Sequence, residues 1–451
     1  MAKQHDFTKG NILRQLIVFS GPIMLTNLLQ TSYQIVDSLW IGNLLGAKAL
    51  GAVTISGTII FTVLSFVIGL NNAALTILSQ QKGRDNQEGL KRYLNAFVVI
   101  LSIMAIFLSI VGFFFSEVLL NILGTPNDIM VQAKSYLQIN FIGILFLFGY
   151  NFISTVLRAL GDSKTPLRFV MIAVVLNIVL DPLLIAGFNL GVKGAAIATI
   201  LAQGSAFVYG VFHVLYRGLA PFTVPKLPAR QEVGLILNLG IPSGLQMGVI
   251  SAGSAAIMSV VTLFGGDVVG GFGAAQRLDS LIMLPANALG AAVSSMAGQN
   301  IGIKNWDRVK SISRNGLLYN LSVMALIGVT IFLFVEYGVK LFIQEPNAVE
   351  FATRYLKIMA FCFPFLGINF ILNGIVRASG AMYQVLGLNI ISFWILRYPL
   401  TSLFANIYGE VGIAIGMGSS FIVSSIFASL YYRFGNWRKK ELFTEKQKTV
   451  N

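Results

Sequence analysis

Charge is what this sequence has least of. Of its 451 residues only 11% are Asp, Glu, Lys or Arg, whereas 55% are hydrophobic and the mean hydropathy is +0.76. A soluble chain of this length needs far more polar surface, so that class is excluded and a polytopic membrane protein is indicated. Cysteine is nearly absent. The single Cys362 rules out an intramolecular disulfide and a cysteine metal cluster, and reads as a small apolar helix residue. His5 and His213 are too few and too far apart to suggest a metal site. No G-x-x-x-x-G-K-[ST] pattern occurs, so ATP hydrolysis is not expected and neither is an enzyme; the 45 glycines suit close helix packing in lipid. No resident cofactor is indicated. The opening MAKQHDFTKGN is polar, and the apolar stretch after it is too long for a cleaved signal, so the mature chain is expected to begin near Met1.

What is present is hydrophobic length. Twelve apolar runs fall at roughly 12–41, 47–80, 92–115, 134–158, 166–187, 193–216, 232–263, 268–298, 312–335, 352–378, 383–404 and 411–433, each long enough to cross a ~30 Å hydrocarbon core as a helix. A membrane β-barrel would show alternating segments of about ten residues instead. The net charge of +14 follows this topology. With the N-terminus inside, the cytoplasmic side collects Lys3, Lys9, Arg14, Lys82, Arg84, Lys91, Arg92, Arg217, Lys226 and the tail with Lys446 and Lys448, among others. The outer side holds only Lys48, Lys134, Lys193, Lys340 and Arg354. That asymmetry is the positive-inside rule, places both termini in the cytoplasm, and leaves no nucleic-acid footprint.

The chain also repeats itself at a spacing of about 219 residues. Asn151-Phe152-Ile153 recurs as Asn369-Phe370-Ile371, and Val156-Leu157-Arg158-Ala159 as Ile375-Val376-Arg377-Ala378. Pro22 in the first span matches Pro242 in the seventh. The expected architecture is an all-α polytopic membrane protein, twelve transmembrane helices in two pseudo-symmetric six-helix lobes. The lobes are 1–216 and 232–433, joined by the Pro-rich linker 217–231 and followed by the basic tail 434–451. Parallel repeats of this kind suit a carrier whose lobes rock to expose a cavity to each side in turn.

Within the first span, Asn27, Gln30, Gln34 and Asp37 share an arc of roughly 80°, with Tyr33 beside it. Leu25, Leu28, Ile35, Val36 and Leu39 lie opposite. Amides and a carboxylate facing hydrocarbon are costly, so the stripe is expected to face a cavity or the bundle interior. The plainer alternative is that Asp37 sits at the outer helix end and meets water, Trp40 marking the interface. Span five adds Asn177 and Asp181, four residues apart on one face. Pro182 frees a backbone carbonyl near Ile178, span six adds Thr199, and span four Asn151. Carboxylate, amide, hydroxyl and carbonyl oxygens suit a hard cation, and two carboxylates sharing a desolvated site suit a proton carrier equally. In the second half the stripe becomes Met247, Ile250, Ser254 and Ile257, while Asp181 becomes Tyr398 and Thr199 becomes Met417; only Asn151 keeps its type, as Asn369. The fold repeats and the polar constellation does not.

Other signals are weaker. Arg277 and Asp279 are two apart, face different ways on a helix and need separate partners, as in an interhelix network or a gate. Arg397, beside Tyr398-Pro399, reads as an anchor between lobes or as a side chain reaching the outer surface. Arg158 and Arg377 repeat with the fold and read as structural.

On these residues the chain resembles the multidrug and toxic compound extrusion (MATE) family over nearly its whole length, and within it the prokaryotic branch with an N-lobe coupling site. The resemblance rests on Asp37 fifteen residues after Pro22, Asn177-x-x-x-Asp181, Thr199 eighteen residues beyond Asp181, and Asn151. No Asp or Glu occurs in 242–262 or 355–376, where the other branch carries its C-lobe acids. The resemblance implies a secondary antiporter in the cell membrane that exports small amphipathic, often cationic compounds against H+ or Na+, without ATP. It implies ion or proton binding at Asp37, Asn177, Asp181, Thr199 and Asn151, with Na+ as a candidate metal at the first four. A substrate cavity along Asn27, Gln30, Tyr33 and Gln34, a bending point at Pro22 and a monomer are expected with it. The rival reading is a flippase for lipid-linked precursors, which wants a basic cavity where this one is acidic and amide-rich.

Overall fold

The computed structural model describes residues 5–443; Lys3, Lys446 and Lys448, assigned above to the cytoplasmic side, lie outside the described residues. All regular structure among the described residues is helical. In chain order the helices are α1 (Ile12–Leu45), α2 (Ala47–Gly83), α3 (Gln87–Ile122), α4 (Asn127–Ile142), α5 (Ile144–Ala159), α6 (Lys164–Pro182) and α7 (Val192–Arg217). The second half runs α8 (Arg230–Val261), α9 (Gly266–Ile282), α10 (Leu284–Gly302), α11 (Trp306–Lys340), α12 (Pro346–Ala378), α13 (Met382–Ile390), α14 (Tyr398–Tyr408) and α15 (Val411–Phe434). Eleven continuous segments are long and apolar enough to span a membrane, and α4 with α5 makes a twelfth, bent by 51°. The twelve expected spans are therefore present.

Their ends differ from the hydropathy runs for a local reason. α3 and α11 overrun their apolar stretches because each starts on an asparagine cap. Asn86 Oδ1 accepts from Gly89 N at 3.0 Å and Asn305 Oδ1 from Arg308 N at 3.2 Å, which satisfies amides left open by the first turn. The fourth span breaks at Gly143, where the missing side chain admits Ile200 of α7. After Pro182 the helix widens to a π turn, Leu183–Gly187, with Phe188 N donating to Leu183 O at 2.9 Å. Proline cannot supply its own rung, and the ladder slips by one residue.

The repeat extends to turn chemistry. Gly161 and Gly380 end matching helices at φ +90° and +89°, and Asp85 and Lys304 precede matching caps at φ +53° and +57°. At Gly161 a β-carbon would run into the His5 backbone, so both the positive φ and the close approach require glycine.

The helices group into two compact units. One comprises Leu25–Gly240 with His5 and Asp6; the other comprises Phe7–Met24 with the described residues from Ile241 onward. Packing thus divides the chain within α1 and α8, whereas connectivity suggests the linker. Those helices have 34 and 32 residues, enough to serve two cores, and each divides close to its proline, Pro22 or Pro242. In the second unit Phe7 and Phe19 are buried with Leu16, Ile23, Val293 and Met296. Phe7 N donates to Gln299 Oε1 at 3.1 Å and Asn300 Nδ2 donates to Phe7 O at 3.0 Å. The linker belongs to the first unit, where Asn95 holds the Lys226 backbone.

Candidate functional site

The polar stripe of α1 looks into the first unit. Gln30 Nε2 donates to the Tyr150 hydroxyl on α5 at 3.1 Å, and Tyr33 lines a small cavity with Gln203 of α7. Asp37 is half-buried with Oδ1 fully enclosed. The opposite face behaves as its residues predict: Leu25, Leu28 and Ile35 are each 42% exposed, the condition of side chains that meet lipid or a cavity. Asn27 is half-buried and Gln34 is exposed.

Asp37 is not at a frayed helix end. One turn beyond it Ile41 is fully buried in a cluster with Ala49, Tyr136, Ile185, Val192 and Ala195, and α1 continues to Leu45. An apolar cluster thus packs around the last turns of α1 beyond the carboxyl.

Asp181 and Asn177 are buried to 0% and 1% exposure. Asn177 Nδ2 donates to Asp181 Oδ1 at 3.1 Å, and the side chains of Asp37 and Asp181 are close enough to interact electrostatically. Thr199, Asn177, Tyr33, Tyr150 and Gln203 line a cavity of about 10 Å³, the scale of a single water. Four of the five residues expected to bind the ion therefore gather in one place. Asn151 is half-buried on α5 beside Tyr150, its amide donating to Leu147 O at 2.8 Å.

Several of the donors here are already engaged. Thr199 Oγ1 donates to Ala195 O at 3.1 Å, and Asn151 and Asn177 each donate one amide proton as described. What remains unpartnered and enclosed is acceptors: Asp37 Oδ1, Asp181 Oδ2 and Asn177 Oδ1. Buried acceptors without donors are costly, and a proton or a hard cation relieves that cost where an anion cannot. Sequence reasoning did not single out Tyr150 and Gln203. Gln203 lies four residues past Thr199 on the same face of α7, and Tyr150 is the neighbour of Asn151.

In the second unit Asp279 and Arg277 do take separate partners. The Tyr355 hydroxyl on α12 donates to Asp279 Oδ2 at 3.4 Å, and the Arg277 guanidinium lies 5.8 Å from the Phe342 ring centre. Arg397 does not reach the surface. It is buried inside the unit, its guanidinium 3.8 Å from the Phe393 ring centre and 4.6 Å from that of Phe421, with Nε donating to Ser420 Oγ at 3.3 Å. Two aromatic faces accommodate the cation where it is.

Twelve apolar spans, a two-fold repeat and an acceptor-rich carboxyl pair in one half define a membrane transporter. The MatE family model matches the chain twice, over residues 22–183 and 242–403, each match opening on the repeated proline. A probable multidrug resistance protein, YpnP of Bacillus subtilis (strain 168), is 61% identical over 98% of this chain and 100% of its own length. Among solved structures, an outward-facing multidrug resistance MATE family transporter superposes with a TM-score of 0.92 at 21% identity, covering 97% of this chain and 100% of that one. The Vibrio cholerae MATE transporter VcmN in its bent form gives 0.90 at 24% identity, covering 96% and 99%. The chain belongs to the MatE family: it is a multi-pass membrane transporter of small molecules, and not an enzyme.

Proposed function

We propose that the protein is a multidrug efflux antiporter of the cell membrane that exports amphipathic, often cationic compounds in exchange for H+ or Na+. One observation carries the coupling: three enclosed acceptor oxygens on Asp37, Asp181 and Asn177 have no hydrogen-bond partner, with the two carboxyls near enough to interact. Two charged carboxylates that close repel each other, so the pair holds a proton or a cation, and releasing it changes what the α1–α6 contact costs. Asn177 orients Asp181, and Thr199 offers an oxygen whose proton is already engaged. A bound ion shifts the carrier between states only by its differential affinity for them. The division of α1 between two units next to Pro22 makes that residue the bending point through which the loss or gain of the ion reshapes the helix. Export is powered by the ion gradient without ATP, the basic loops and both termini lie in the cytoplasm, and the transporting form is the monomer.

Purified protein in liposomes, loaded with dye and given sodium and pH gradients separately, tests this directly. One gradient is expected to drive dye movement in the wild type and neither in Asp37→Asn. Dye transport by Asp37→Asn at the wild-type rate under the same gradient would refute the coupling role.

A further inference from the structure

A larger cavity in the first unit lies apart from the carboxyl pair. Its volume is about 490 Å³, within the ~300–1,000 Å³ of small-ligand sites. Its walls come from α3, α5, α7 and the linker, with Leu101, Leu145, Phe148, Phe152 and Phe207 forming the slot. Ser102 and Thr223 are the only polar side chains in the lining, so nothing there can orient a polar guest by several hydrogen bonds. A hydrocarbon chain needs no such orientation.

One end of the slot is basic. Lys91, Asn95, Val98 and Ser102 recur at helical spacing and share one face of α3, and Val98 and Ser102 line the slot. Asn95 Nδ2 donates to Lys226 O, and Lys226 N donates to Asn95 Oδ1, both at 2.7 Å. This clamp fixes Lys226 at the slot end of α3, one turn along that face from Lys91, and places Thr223 and Val224 in the lining. Arg217 follows two residues after the lining residue Leu215 at the end of α7. Lys91, Lys226 and Arg217 are all exposed, and none is in an ion pair among the described residues. Their neighbour Arg92 is neutralised by Glu232 at 3.0 Å, and Glu88 at the start of α3 makes no ion pair with Lys91. The mouth therefore carries three cationic side chains that no ion pair engages among the described residues, against an apolar slot.

We propose that this cavity binds one acyl chain of an anionic phospholipid, with the lipid phosphate held by Lys91, Lys226 and Arg217. Charge complementarity selects the occupant. A neutral amphipath fills the slot but ignores the lysines, and a free phosphate meets the lysines but leaves the slot empty. The lipid ties α3, α7 and the linker together at the edge of the unit that holds the carboxyl pair. The proposal does not depend on which ion the carboxyls bind.

Native mass spectrometry of the full chain, stripped of lipid and titrated with phosphatidylglycerol or phosphatidylcholine of identical chains, reads the site. The wild type is expected to retain one phosphatidylglycerol in preference to phosphatidylcholine. Lys91→Gln and Lys226→Gln should each reduce that preference by about fivefold, and Ser102→Phe, which fills the slot, should abolish retention. Because Ser102→Phe can disturb packing, a chain-length series on the wild type gives a second measurement: phosphatidylglycerol with six-carbon chains and glycerol 3-phosphate should both fail to compete. Equal retention of the two lipids by the wild type overturns the headgroup assignment. Unchanged retention in a folded Ser102→Phe, or competition by glycerol 3-phosphate, overturns the slot.

Discussion

Asn177 donates its amide to Asp181 Oδ1 at 3.1 Å across one turn of α6, and in doing so leaves its own carbonyl oxygen and Asp181 Oδ2 as bare acceptors. The orienting bond and the acceptors that suit a cation or proton are thus products of one side-chain arrangement. Removing the amide, as in Asn177→Ala, strands Asp181 Oδ1 as well and is expected to cost about 1–3 kcal/mol of stability. A lowered melting temperature in detergent, together with weakened ion dependence of dye efflux, is the expected result. An unchanged melting temperature sinks it.

Asp37→Asn keeps the size and polarity of the side chain while removing its charge. Insertion and folding should be retained, since Asp37 is in no ion pair among the described residues. Cation-coupled export should fall to background. Accumulation of a fluorescent dye in cells expressing equal amounts of both proteins checks this.

Pro22 removes one rung from the ladder of α1, close to where the helix passes from one unit to the other. Pro22→Ala restores the rung, and an interior proline costs a helix about 3 kcal/mol. The variant should be as stable as wild type or more so, bind dye normally and export it slowly. A binding assay beside the efflux assay separates these; normal export with normal binding contradicts the bending role.

Arg397 fits its pocket by shape as well as charge. A planar guanidinium stacks between two rings, and a compact ammonium does not. Arg397→Lys is therefore expected to destabilise the second unit more than Arg397→Met, since a well-packed apolar replacement of a buried charge is often near neutral. The order of the two melting temperatures decides the matter.

Gly161 and Gly218 both have positive φ, +90° and +59°, but only at Gly161 does a β-carbon meet backbone. Gly218→Ala should cost roughly 1–2 kcal/mol, the ordinary penalty of a left-handed residue. Gly161→Ala should cost clearly more. Equal melting temperatures for the two variants would show that the contact with His5 is not limiting.

Much of the site was legible because its spacing is helical. Gln30, Gln34 and Asp37 had to share a face, and Asn177 and Asp181 had to meet, once α1 and α6 were helices. The role of Gln203 and Tyr150 was not legible, because it depends on how α5 and α7 pack on α1. Arg397 shows the same limit from the other side. Its charge and its place beside Pro399 suggested reach, and its two aromatic neighbours, one four residues before it and one on α15, decided burial.

Hydrophobic run length, the repeat and the charge asymmetry fixed the class and the twelve spans, because crossing a bilayer obliges every backbone group to be satisfied within a helix. What the chain alone left open was which residues of different helices touch. That Asp37 comes near Asp181, that Ile41 packs among residues of α2, α4 and α7, and that α1 and α8 each divide between two cores follow from packing between distant segments, which no local spacing encodes.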